Sequence, residues 1–208
     1  FTVMEMQFHD YIETLLGSKV KVKVLRTLWR YREKEFTIRE LAKFLGISHT
    51  GIKKVLAELE KTNAIEVRTL GKSHAFKLNV KSYAARVVDE VFDMEKETLL
   101  ELREIMRAKL ESPLVISAAL FGSIVEKKET SGSDIDLFIV TERKEKIEDI
   151  VVELQKNVSE KFGNSISTYY IKPGDLQKKE NQSPIKQALQ NHLLICGKPL
   201  GEGYVGKS

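Results

Sequence analysis

"LFGSIVEKKETSGSDIDLFIV" runs from Leu120 to Val140, and its reading decides the C-terminal half of the chain. Ile116–Phe121 reads as a buried strand, Gly122-Ser123 breaks it, the polar run ends at Gly132-Ser133, and Asp134–Val140 reads as a second strand. Two acids at the head of an otherwise apolar strand call for a reason. Strand alternation puts Asp134 and Asp136 on one face, about 7 Å apart at Cα, close enough to share divalent metal ions. Gly122 lets a phosphate approach the backbone, and Ser123 offers a hydroxyl and an amide at a turn or helix start. The parts suit metal-assisted phosphoryl chemistry, with carboxylates for Mg²⁺ or Mn²⁺ and a small-residue turn for a triphosphate.

Gly-Ser, ten intervening residues and then Asp-x-Asp resembles the signature of the nucleotidyltransferase superfamily that includes DNA polymerase β, especially its minimal branch. The resemblance covers about 113–200. It implies that Gly122 and Ser123 bind triphosphate oxygens and that Asp134 and Asp136 ligate Mg²⁺ for transfer of a nucleoside monophosphate to a hydroxyl. Active members add a third carboxylate from a later strand, whereas "SISTYYI" (Ser165–Ile171) offers Ser167 and Thr168. Asp175 lies beyond Pro173-Gly174, outside that strand's register. A basic residue often follows the Gly-Ser pair in the family; here Ile124 does, and Lys127 and Lys128 on the charged loop read either as substitutes or, more commonly for such a loop, as solvated side chains. A missing carboxylate lowers metal affinity and removes an acceptor for the attacking hydroxyl's proton.

Charge separates the two halves. Residues 1–80 carry fifteen Lys and Arg against nine Asp and Glu, a net of +6; residues 81–208 carry nineteen against twenty-one, a net of −2. A polyanion partner is therefore expected for the N-terminal part alone. There Val20, Val24, Leu25, Leu28 and Trp29 recur at helical spacing between Ser18 and Tyr31. Thr37-Ile38-Arg39-Glu40 reads as a capping box opening a second helix that Gly46 ends. Ser48 can cap a third, whose stripe of Ile52, Val55, Leu56 and Leu59 leaves His49, Thr50, Lys53 and Lys54 outward. Two alternating segments, Glu66–Thr69 and His74–Asn79, then read as a hairpin.

That order resembles the winged helix-turn-helix DNA-binding domain, over about residues 10–80. The resemblance implies that the third helix enters the major groove N-terminus first, with Ser48, His49, Thr50, Lys53 and Lys54 near base edges or phosphates. Arg68, Lys72 and Lys77 would hold backbone phosphates from the wing. Residues 82–112 contain no Gly or Pro and predict one long helix, on which Val88, Phe92, Leu99, Leu102 and Met106 approximate a heptad seam. Two readings stay open for it: a linker packed on a domain, or a dimer helix serving two DNA half-sites.

The remaining features exclude more than they assign. With 42% apolar and 31% charged residues the chain fits soluble globular domains, so long disorder is not expected. No stretch approaches the roughly eighteen apolar residues of a membrane span. A single cysteine, Cys196, excludes an internal disulfide framework and a Cys-rich zinc site, reads as a small core residue, and points to a reducing, cytoplasmic setting. His49 and His74 are solitary and read as no metal site. "GEGYVGKS" (Gly201–Ser208) satisfies the P-loop pattern, but a P-loop needs a preceding strand and a following helix, so the match is read as accidental.

The expected fold is mixed α+β: a winged helix-turn-helix domain over 1–81, a connecting and possible dimer helix over 82–112, and a small α/β nucleotidyltransferase-like domain over 113–208. The expected function is a homodimeric DNA-binding transcriptional regulator whose second domain binds nucleoside triphosphate and divalent metal. The alternative is an active transferase moving a nucleoside monophosphate, foremost AMP, to a protein or small-molecule hydroxyl.

Overall fold

The computed structural model describes residues 11–71, 73–130 and 132–201, and the chain divides into two compact units between Glu97 and Thr98. In the first, α1 (Tyr11–Leu16) and α2 (Lys19–Arg30) precede a two-residue strand β1 (Phe36–Thr37), then α3 (Ile38–Leu45) and α4 (His49–Lys61). Each helix start is chemically specified. Ser18 Oγ accepts from Lys21 N at 3.2 Å, Thr37 and Glu40 close the expected capping box, and Ser48 Oγ accepts from Gly51 N at 3.2 Å. Gly46 ends α3 at φ +65°, a left-handed conformation that lets the chain turn at once into α4.

β2 (Ile65–Leu70) and β3 (Ser73–Leu78) form the wing, and β1 adds to its inner edge in the order β1-β3-β2. The short β1 was not legible beside the capping box that follows it. Val24, Leu25, Leu28, Leu41, Ile52, Leu56, Leu59, Phe76 and Leu78 are buried in one cluster, and the order of helices followed by the β1-β3-β2 wing is that of a winged helix-turn-helix. Lys21 is almost buried and pairs with Glu58 at 2.5 Å, tying α2 to α4 where a lone ammonium would be costly.

α5 runs as one helix from Tyr83 to Leu110. Its expected dimer seam is occupied within the chain. Val88 and Phe92 lie in the first unit's core, Leu102 and Met106 in the second's, with Leu99 packed partly against the latter. Val88, Phe92, Leu102 and Met106 are thus buried within the chain. Glu95, which interrupts the seam, pairs with Arg26 at 2.5 Å.

The second unit is built on a sheet of order β6-β5-β4-β7, from β4 (Ser117–Phe121), β5 (Ile135–Val140), β6 (Ile166–Ile171) and β7 (Leu193–Gly197). A four-residue turn of helix, α6 (Ser123–Glu126), follows β4, and α7 (Lys144–Phe162) connects β5 to the parallel β6. Ile147, Leu154 and Val158 of α7 share a core with Leu102, Met106 and Leu110 against Ile135, Leu137 and Ile139. α8 (Pro173–Leu176) and α9 (Ser183–Gln190) contribute Leu176, Ile185 and Ala188 to a second core with Phe138 and Val140, so the sheet is covered on both faces. Cys196 is buried, as its apolar surroundings predict.

Candidate nucleotide site and DNA-facing helix

The strand registers assemble the site. Phe121 on β4, Asp136 on β5 and Ser167 on β6 are neighbours across the sheet, so their side chains share one face. The next row on that face is Ala119, Phe138 and Tyr169, with the Phe138 and Tyr169 rings stacked at 5.5 Å and Phe121 edge-on to Phe138 at 5.9 Å. Asp134, one turn of the pleat before Asp136, lies at the strand's open end. The acids therefore sit where the aromatic floor stops.

Gly122 follows directly, at φ +70° and ψ −146°, a region nearly restricted to glycine. A Cβ built there would stand 2.1 Å from Asp136 Oδ2. The backbone of the Gly-Ser turn is thus packed on the carboxylate, and a larger residue would have to displace it. Burial, and secondarily the neighbouring Asp134, push the Asp136 carboxyl above the ordinary carboxylate range. Two acids that repel, one of them half-buried, form a site whose ionised state a cation would relieve.

Asp134 is itself held. Ser165 Oγ donates to Asp134 Oδ1, Ile135 N donates to Ser165 O at 2.8 Å, and Asn164 Nδ2 donates to Ser133 O at 3.0 Å. Thr130 N donates to Ser133 Oγ at 2.9 Å on the other side. Sequence reasoning missed Ser165 and Asn164. Their signal was present only jointly: once β6 is aligned in parallel with β5, the Ser165-x-Ser167 alternation falls on the same face as Asp134-x-Asp136.

The same register decides between the two candidates for a third-ligand position. Ser167 stands beside Asp136, whereas Thr168 pairs with Leu137 on the opposite face and hydrogen-bonds Tyr170. Asp175 lies in α8 and pairs with Lys179 at 3.2 Å. Among the described residues no group of three or more acids, histidines or cysteines could hold a metal ion. Asp134 and Asp136 fit a divalent cation by their chemistry, but as a pair only. Ile124 packs against the second unit's core, and Lys128 pairs with Glu126 at 2.8 Å, so the ammonium beside the turn is already partnered.

Residues 99–195 match the family model described as nucleotidyltransferase domain. The match spans most of the second unit. The match begins inside α5, upstream of the boundary at 113 expected from sequence. No curated protein matches the chain. Among solved structures, NolR from Sinorhizobium fredii is 13% identical with a TM-score of 0.35, covering 40% of this chain and 79% of that one. A homodimeric winged helix-turn-helix domain from Mycobacterium bovis, a possible ArsR-family transcriptional regulator, is 17% identical with a TM-score of 0.35, covering 45% and 92%. A toxin-antitoxin structure with AMP-PNP is 15% identical with a TM-score of 0.33, covering 46% and 73%.

In the winged helix-turn-helix unit, His49, Thr50, Lys53 and Lys54 are exposed on the first turns of α4, together with Ser48, whose hydroxyl is engaged as the cap. The wing is less free than its sequence implies. Arg68 pairs with Glu35 at 3.3 Å and Lys77 with Glu66 at 3.1 Å, while Lys72 lies outside the described residues. Such exposed pairs are weak and exchangeable, whereas Lys53 and Lys54 stand exposed on α4. No described helix is long and apolar enough to cross a membrane.

Two outcomes are expected from the site geometry. Gly122→Ala forces a β-carbon into Asp136 in a left-handed backbone, and urea denaturation should show a loss of about 1–3 kcal/mol. Asp136→Asn should raise the melting temperature at pH 7 in metal-free buffer. The sign follows from the raised carboxyl: the native state holds its proton more tightly than the unfolded chain, so the stability of the protonated form is present at low pH and is lost as pH rises through the shifted value. The gain from Asn should therefore shrink on acidification below the ordinary carboxylate range.

Proposed function

We propose that the chain is a cytoplasmic DNA-binding transcriptional regulator whose nucleotidyltransferase domain binds a nucleoside triphosphate together with Mg²⁺ or Mn²⁺. The observation that carries this reading is the packing of the Gly122 backbone against the Asp136 carboxylate, beside Asp134. It brings a side-chain-free turn and a pair of acids to one place, as a metal-bridged triphosphate requires. Asp134 and Asp136 would hold the cation, and Gly122 and Ser123 would face the phosphates. When bound, the metal would neutralise phosphate charge and polarise the phosphorus.

The two-acid set favours binding over rapid turnover, because the position beside Asp136 on β6 is Ser167. A transferase reading keeps one specific support: a serine hydroxyl already hydrogen-bonded to Asp134. On the DNA side, the cations of α4 supply backbone attraction and the exposed Ser48-His49-Thr50 stretch supplies groove contacts.

Duplex binding followed by fluorescence anisotropy should weaken steeply with salt, and Lys53→Ala should cost roughly ten-fold or less while lowering the salt slope by about one. Mg²⁺ with a triphosphate should raise the melting temperature of the wild-type chain and leave the Asp134→Asn, Asp136→Asn double variant unmoved. Salt-indifferent DNA binding contradicts the first half of the proposal. Identical melting with and without ligand contradicts the second.

A further inference from the structure

We infer that the domain nucleotidylates itself, with Ser165 Oγ as the acceptor; this rests on the triphosphate-binding reading above. Order across the sheet carries the inference. β5 carries Asp136, with Asp134 just before it, and lies between β4, which ends in the Gly122-Ser123 turn, and β6, which begins beside Ser165 and carries Ser167. A phosphoryl centre held at the acids thus has the triphosphate turn on one flank and serine hydroxyls on the other. In-line displacement needs that disposition, with nucleophile and leaving group on opposite sides of phosphorus.

Ser165 is the hydroxyl best prepared for it. It is exposed, so no side chain bars a phosphate from it, and its Oγ donates to Asp134 Oδ1. Its carbonyl is fixed by Ile135 N at 2.8 Å, and the neighbouring Asn164 is anchored on Ser133 at 3.0 Å, so the hydroxyl is held by its own strand ends and not by a mobile chain. A carboxylate in hydrogen-bond contact with a serine is the pairing of base and nucleophile that acyl and phosphoryl transfer use. The remaining oxygen of Asp134 is left for the cation.

The step balances without a further reactant. Ser165 Oγ forms a bond to the α-phosphorus, and the bond from that phosphorus to the oxygen bridging to the β-phosphate breaks. Pyrophosphate leaves with the bonding pair on the side of Gly122-Ser123, and the serine proton passes to Asp134 Oδ1 and on to water. The product is a phosphodiester joining Ser165 to a nucleoside. It would occupy the site's own acceptor position, so each chain reacts once, and the absence of a third carboxylate is less damaging than it would be for a freely diffusing acceptor.

The test incubates the full chain with Mg²⁺ and each common ribonucleoside triphosphate labelled at its α-phosphorus. Melting curves with the same ligands and intact-mass measurement of the purified chain accompany it. Label should survive denaturation, fragment mass spectra should place one nucleoside monophosphate on Ser165, and Ser165→Ala should lose the label. Ser165→Thr should recover part of it. Label persisting in Ser165→Ala, or a melting shift with no label in the wild type, overturns the acceptor assignment and leaves triphosphate binding standing. Neither label nor shift overturns both.

Discussion

The contact between the Gly122 backbone and the Asp136 carboxylate is the constraint on which the candidate site depends. It exists because β4 and β5 pair with Phe121 opposite Asp136, so the residue after Phe121 must turn over the carboxylate. An added β-carbon would stand 2.1 Å from Asp136 Oδ2, and glycine adopts that backbone without strain. Partial burial raises the proton affinity of Asp136, with Asp134 adding to the effect. A fold that places a repelling pair of acids beneath a bare backbone turn bears a cost in its metal-free state. That cost is intelligible if the partner is a cation bridging to phosphate.

The surroundings of the pair divide holding from reacting. Ser165, Asn164 and Thr130 fix the segment that carries Asp134 through hydrogen bonds from two directions. Ser167 fills the place beside Asp136 with a neutral hydroxyl. The result is a site organised to hold charge and poor in groups able to accept a proton from an incoming substrate. Where a proton must move, Asp134 is the acid already in contact with a hydroxyl.

Much of this was legible in the sequence, and the parts that were not share a cause. Local signals worked: the Thr37-Glu40 capping box, the Gly46 stop and the Ser48 cap all depend on contacts a few residues apart. Failures came where a distant strand or core decides. The choice between Ser167 and Thr168 needs the parallel register of β6 on β5, and Ser165 is silent until that register is known. The heptad-like spacing on α5 was real, yet Val88 and Phe92 satisfy one core and Leu102 and Met106 another, a division that spacing alone does not reveal. Charge counting located the basic half correctly but not which cations stand open, because Arg68 and Lys77 meet acids brought close by folding.

The most direct test of the central claim is a Mn²⁺ titration followed by electron paramagnetic resonance, with and without a non-hydrolysable triphosphate. Asp134 and Asp136 alone should bind Mn²⁺ weakly. Triphosphate seated on the Gly122-Ser123 turn should supply the missing oxygens and tighten binding by about ten-fold or more, and Asp136→Asn should remove the tightening. Free-ion spectra that do not change on adding the chain, whether or not triphosphate is present, would contradict the account.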